Sequence, residues 1–62
     1  METKTEVVSG TKAGMLQINA ERFNCQIIEL GLVAGGNARI SVKGTADDLQ
    51  ALFDYVNEAG AQ

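Results

Sequence analysis

The sequence has no histidine, no proline and no tryptophan, and Cys25 is its single cysteine among 62 residues. One cysteine cannot form a disulfide within its own chain. A tetrahedral metal site needs several thiol or imidazole ligands, so we expect neither a metal nor another cofactor. No histidine is present to activate a nucleophile, and no catalytic residue is therefore predicted. These absences favour a binding protein over an enzyme.

Positive charge and aromatic rings are also scarce. Five basic residues stand against eight acidic ones, which gives a net charge of −3, and the aromatics are two phenylalanines and one tyrosine. Binding to nucleic acid or to an anionic membrane requires a basic surface, so we expect neither partner. No apolar run approaches the roughly 20 residues of a membrane span, and no apolar signal core follows Met1. A cytoplasmic location is expected.

The short chain predicts one domain over residues 1–62. A chain of this size buries only about 60% of the surface that it exposes when unfolded. Small folds often gain support from disulfides, from a metal or from another subunit. With the first two excluded, we expect a homo-oligomer, in the simplest case a dimer. The identity of any other protein partner is unknown.

The C-terminal segment predicts a helix over residues 46–59. Thr45 is a suitable N-cap, and Asp47 and Asp48 complement the positive end of the helix dipole. Gly60 supplies the stop. Apolar residues recur at the spacing of one buried helical face: Leu49, Leu52, Phe53 and Val56.

Three strands are predicted from alternating apolar and polar residues. One covers residues 38–43, where Ile40 and Val42 alternate with polar neighbours. Two more, Thr5–Ser9 and Met15–Asn19, are expected to form a hairpin through a loop at Gly10–Gly14.

Residues 20–30 change parity when they are interpreted as a strand. Phe23 and Ile27 share one face, whereas Ile28 and Leu30 share the other. On a helix the apolar residues fall on one arc, with Asn19 as the N-cap and Gly31 as the residue after the helix, so a helix is predicted. The expected fold is α+β in the order β-β-α-β-α, with a small antiparallel sheet and helices packed on one face.

The stretch Leu30-Gly31-Leu32-Val33-Ala34-Gly35, followed by Ile40-Ser41-Val42-Lys43-Gly44 and an acid-started helix, resembles the C-terminal two thirds of HPr. HPr is the histidine phosphocarrier family of the bacterial sugar phosphotransferase system. The resemblance implies a hairpin, a short helix ending in Leu-Gly, a glycine turn, a strand and a long final helix. The whole would be a truncated open-faced sandwich.

The chain departs from this family at its functional residues. Without histidine and proline, it lacks the His-x-Arg-Pro pattern that carries the phosphate, and the regulatory serine position of some members falls near Arg22. The resemblance therefore implies a module that cannot carry phosphate on histidine. It also implies that the first strand–helix unit is missing, which would leave residues 38–43 with an unpaired edge beside an exposed apolar patch.

Four features have a possible chemical role, and in each the structural interpretation is favoured. Asp47 and Asp48 are paired carboxylates, but their place at a helix start predicts capping. Gly31–Gly36 lacks the lysine of a phosphate-binding loop and predicts a hairpin or connecting turn. Cys25 is expected on the outer arc of the middle helix, where oxidative cross-linking between chains is the alternative. The acidic side chains of the last helix predict a solvated face, with phosphate mimicry as the alternative: Asp47, Asp54 and Glu58.

Three hypotheses for function remain open. The first is a non-catalytic HPr-like module that acts through protein contacts. The second is a small acidic inhibitor or accessory protein, of the type that phages encode, which binds a host enzyme. The third is an engineered or reconstructed fragment without a cellular role.

Overall fold

Three strands and two helices follow one another in the order β-α-β-β-α in the computed structural model, which describes residues 1–59. They are β1 (Glu2–Ser9), α1 (Gly10–Asn19), β2 (Gln26–Val33), β3 (Asn37–Gly44) and α2 (Ala46–Glu58). Short 3-10 turns lie at Glu21–Phe23 and Ala34–Gly36. The α+β class is confirmed, whereas the predicted order of elements is not.

The sheet places β3 at its centre. The strand order is β1-β3-β2, and β3 runs antiparallel to both neighbours. β1 and β2 are therefore parallel, with β3 inserted between them, as in a split β-α-β unit. The predicted unpaired edge at residues 38–43 is wrong, because these residues pair on both sides. Within residues 1–59 the free edges belong to β1 and β2.

Both helices pack on one face of the sheet, as predicted. Leu16 of α1, Leu52 of α2 and Ile40 of β3 are fully buried at the centre of one hydrophobic core. The helices contact mainly β1 and β3, and they contact each other. Edge strand β2 therefore extends beyond the helical layer.

The helix α2 forms where it was predicted. Thr45 is extended, and its hydroxyl accepts a hydrogen bond from the backbone N–H of Asp48 at 3.1 Å. The apolar face is buried at the four expected positions: Leu49, Leu52, Phe53 and Val56. The predicted stop at Gly60 lies outside the described residues. Strand β3 also confirms its prediction, with one more residue at each end.

The predicted strand Met15–Asn19 is wrong, because these residues belong to α1. The side chain of Ser9 caps this helix by accepting a hydrogen bond from the N–H of Lys12 at 3.1 Å. Gly10 and Gly14 are the glycines that suggested a hairpin loop, but both lie within the helix. The buried residues Ala13, Leu16 and Ala20 follow helical spacing, which outweighs the two glycines.

The predicted helix over residues 20–30 is also wrong. A 3-10 turn ends at Asn24, which adopts the left-handed conformation (φ 60°, ψ 34°), and β2 begins at Gln26. A bulge between Ile27 and Glu29 shifts the register of β2 against β3. The bulge accounts for the parity change that had argued against a strand.

The turn before β2 is fixed by polar and aromatic contacts. Asn19 is the buried last residue of α1; its amide donates to the carbonyl of Met15 at 2.8 Å and accepts from Arg22 at 3.0 Å. Phe23 packs against Tyr55 of α2, with ring centroids 5.4 Å apart. Neither helix among the described residues is both long and apolar enough to cross a membrane.

Candidate binding surface

The two aspartates at the start of α2 serve the helix. Asp47 is exposed, and both residues lie in the first turn that Thr45 caps. No group of three potential metal ligands occurs within residues 1–59. Among the aspartates of α2, Asp54 accepts two hydrogen bonds from the amide of Gln50, at 3.1 and 3.2 Å. Asp47, Asp54 and Glu58 all lie exposed on α2, which agrees with the solvated face that was favoured.

Cys25 is buried, and the prediction that it lies on the outer arc of a helix is wrong. It lies between the 3-10 turn and β2, where its Sγ donates to the carbonyl of Phe23 at 3.4 Å. Burial raises the pKa of the Cys25 thiol, and the negative charge of Asp48 raises it further. A thiol that is both buried and held protonated is a poor nucleophile.

The glycine-rich segment divides between two elements. Gly31 belongs to strand β2, while residues 34–36 form the turn that joins β2 to β3. Gly35 and Gly36 have φ values of 79° and 75°, which favour glycine because side chains clash there. The predicted connecting turn is confirmed for residues 34–36. The Leu30-Gly31 pair, which the HPr resemblance places at the end of a short helix, lies instead within β2.

Strand β2 carries several exposed apolar side chains. Leu30 pairs with Ile40 and Leu32 with Ala38, so both leucines lie on the face of the sheet that carries the helices. Ile40 and Ala38 are buried there, yet Leu30 is 45% exposed and Leu32 is 90% exposed. The helical layer therefore leaves both side chains largely uncovered at this edge.

Ile28 extends this exposed apolar row. The bulge leaves it without a partner in β3, and its side chain is 50% exposed. We call Ile28, Leu30 and Leu32 the β2 stripe. Sequence reasoning missed the stripe because it assigned Ile28 and Leu30 to a helix. The parity change at Ile27–Ile28 was the signal that could have located both the strand and its bulge.

A shallow hollow of about 300 Å³ lies along the same strand. It is lined by Glu29, Leu30, Gly31, Leu32, Val33 and Arg39. Glu29 and Gly31 pair with Ser41 and Arg39, so they lie on the sheet face opposite the helices. The hollow therefore combines apolar side chains with one acidic and one basic group.

The two free edges differ in chemistry. On β1, Lys4 and Glu6 pair with buried Val42 and Ile40, so their charges lie over the helix-covered face. They form a salt bridge of 3.2 Å, and Lys4 Nζ lies 4.5 Å from the centroid of the Phe53 ring. Inward-pointing charges protect an edge from pairing with other chains. Among the eight residues of β2, by contrast, the single charged one is Glu29.

Comparison of the chain with protein-family models, with curated proteins and with solved structures finds no match.

Proposed function

We propose that this chain is a non-catalytic protein-association module that works as a homo-oligomer and binds through β2. The observation that carries the proposal is the exposure of Leu30 and Leu32 on the core-forming face of the sheet, at a strand edge without a partner among residues 1–59. Unpaired, apolar edge strands are sites where other chains add to a sheet. Exposed apolar patches mark binding surfaces in the same way.

Burial of the leucines of β2 supplies part of the free energy that association requires. Full burial of one leucine contributes roughly 1.5–3 kcal/mol, so Leu30 and Leu32 of two copies together contribute roughly 5 kcal/mol at their observed exposure. Association costs about 4–15 kcal/mol in lost freedom of motion. Backbone hydrogen bonds along the edge and charge pairing must therefore supply the remaining free energy.

The non-catalytic part of the proposal is supported by residue chemistry. Cys25 is the strongest nucleophile in the sequence, and its thiol is buried and has a raised pKa. A cytoplasmic location also belongs to the proposal, because a single cysteine without a disulfide partner suits a reducing compartment. The phosphotransferase-type and inhibitor roles stay predictions, since no contact among the described residues favours either.

Sedimentation equilibrium of the wild-type chain and of two serine variants tests the proposal. Leu32→Ser removes the most exposed member of the β2 stripe at small cost to the isolated fold. Val7→Ser is the matched control, because Val7 is 60% exposed on the other edge strand. We expect a wild-type dimer at low micromolar concentration, a Kd for Leu32→Ser that is higher by roughly a hundredfold, and no change for Val7→Ser.

Two results would contradict the proposal. One is a wild-type chain that remains monomeric up to about 100 micromolar, which corresponds to an association free energy weaker than roughly −5.5 kcal/mol. The other is an equal response of the dimer to Leu32→Ser and to Val7→Ser, which would show that β2 has no special part in association.

A further inference from the structure

We propose that the occupant of the β2 edge is the β2 strand of a second copy, paired antiparallel about a two-fold axis at Leu30. The two three-stranded sheets then form one sheet of six strands. In this arrangement Glu29 of each copy forms a salt bridge with the partner's Arg39. The inference rests on the proposed function and adds its partner, its register and its specific ion pair.

Gly31 gives the first indication of a close neighbour outside the chain. It lies inside a strand without a positive φ, and a Cβ built on it would meet nothing within 4 Å. Neither backbone conformation nor internal packing therefore requires glycine here. Glycine weakens a strand, and in strand interiors it often marks a place where another backbone or ligand approaches closely.

Symmetry restricts the possible registers to a few. Side chains that oppose each other in an antiparallel pair lie on the same face of the sheet. A two-fold axis perpendicular to the sheet must therefore pass midway between a residue of β2 and the same residue of the other copy. The central candidates are Glu29, Leu30 and Gly31.

Charge selects among these candidates. An axis at Glu29 places two carboxylates directly opposite each other, which is destabilising. An axis at Gly31 places Glu29 opposite the partner's Val33, where the carboxylate meets an apolar side chain. An axis at Leu30 places Glu29 opposite the partner's Gly31, which has no side chain to occupy the space. Leu30 is therefore the favoured centre.

The same register supplies a partner for two unpaired charges. Gly31 pairs with Arg39 inside each chain. In the dimer the side chain of Glu29 would therefore extend over the partner's Gly31 towards the partner's Arg39. Two strand spacings separate the backbones, about 10 Å, which the two long side chains span. Glu29 and Arg39 are exposed, and the salt bridge that the structure shows in residues 1–59 joins two other residues, Lys4 and Glu6.

On the helix-covered face the register joins the two stripes. Leu30 meets the partner's Leu30, and Ile28 meets the partner's Leu32 on both sides of the axis. The β2 stripe of each copy thereby packs against the β2 stripe of the other. This self-complementarity is what a two-fold interface requires.

Charge reversal tests the register, with dimerisation measured by sedimentation equilibrium. E29R and R39E each replace two attractive contacts across the interface by repulsive ones, so each should raise the Kd about tenfold. K43E is the matched control, because Lys43 is exposed on the same strand and face but pairs with Gln26, far from the axis. K43E should leave the Kd unchanged.

Mixing the variants separates contacts between chains from effects within one chain. A heterodimer of E29R with R39E restores both attractive pairs, so the mixture should dimerise more tightly than either variant alone. E29R mixed with K43E restores one of the two attractive pairs, so this heterodimer should bind more weakly than the K43E homodimer. A contact within one chain cannot produce rescue by mixing, and a mixture that fails to dimerise more tightly would overturn the proposed register.

Gly31→Val gives a second readout that does not alter charge. The new side chain has room in the isolated chain, so the variant should keep its circular dichroism spectrum. It fills the space between Glu29 and the partner's Arg39, and the Kd should rise. These experiments separate failure of the register from failure of association through β2. If Leu32→Ser weakens the dimer but Gly31→Val and the charge reversals do not, the proposed register is wrong, whereas association through β2 is retained.

Discussion

Cys25, which directly precedes β2, packs closely against Gly44 at the end of β3. A Cβ built on Gly44 would lie 3.0 Å from Cys25 Sγ and 3.6 Å from Leu49 Cγ. Gly44 is the last residue of β3 and is buried, so little space is available for movement. The sulfur and the glycine are therefore complementary in volume, and Cys25 has a packing role.

Gly44→Ala is expected to destabilise the fold by about 1–3 kcal/mol, because the added methyl group overpacks the core against Cys25. The cost should fall in a Cys25→Ala background, where the sulfur no longer occupies the space. Urea denaturation of the four proteins in this cycle measures both values. Gly14→Ala is the control: it lies in α1 with no neighbour within 4 Å of the new carbon, and it should stabilise by roughly 0.5–1 kcal/mol. Equal costs of Gly44→Ala in both backgrounds would contradict the contact.

At the scale of single residues, predictions from sequence succeeded where the cause is local. Thr45 caps α2 because a threonine hydroxyl reaches a backbone N–H three residues ahead, which needs no tertiary contact. Cys25 was misplaced because its burial depends on the element around it. Once residues 20–30 were assigned to a helix, the outer position of Cys25 followed from that assignment.

At the scale of elements, the segment from α1 to β2 was the one whose secondary structure was predicted wrongly. Leu16 and Ile18 alternate with polar residues as in a strand, and the apolar residues of 20–30 fit a helical arc, so local patterns favoured the wrong element in both places. The second error arose because a bulge and a left-handed turn break the regular period of two in residues 20–30. β3 and α2 contain no such break, and both were predicted correctly.

Asn24 ends the 3-10 turn between α1 and β2, and its conformation leads to a separate prediction. Its left-handed conformation disfavours residues with a Cβ, while asparagine tolerates it better than most. Asn24→Ala should therefore destabilise the fold by about 1 kcal/mol, whereas Asn24→Gly should change stability by no more than a few tenths. Both are measured by urea denaturation at one protein concentration. Similar losses for both variants would indicate that the side chain, and not the backbone conformation, is important at this position.

At the scale of the whole molecule, composition and helix periodicity predicted the α+β class and the single helical layer. They could not predict which strand lies at the centre. That depends on pairing between distant residues, such as Val8 with Ala38, and the HPr resemblance led to the opposite expectation for residues 38–43. The exposure of Leu32 could not be predicted for the same reason, because it follows from the position of β2 at the edge of the sheet.

Thermal unfolding of the whole molecule should depend on protein concentration. If two copies stabilise each other, the midpoint Tm rises as the concentration increases, because mass action favours the folded dimer. Leu32→Ser should reduce this dependence and Val7→Ser should not. Scanning calorimetry at several concentrations measures the effect, and a wild-type Tm that is independent of concentration would contradict coupling between folding and association.

The charged pair Lys4–Glu6 on β1 limits how far such assembly can extend. A chain in which both edge strands could pair with other copies would keep adding copies and form fibres. Here β1 carries its charges over the helix-covered face, so a strand that docked there would have to strip water from both ions. In the proposed dimer, β2 is the one edge among residues 1–59 that pairs with another copy, so assembly would stop at two copies and would not continue into a polymer.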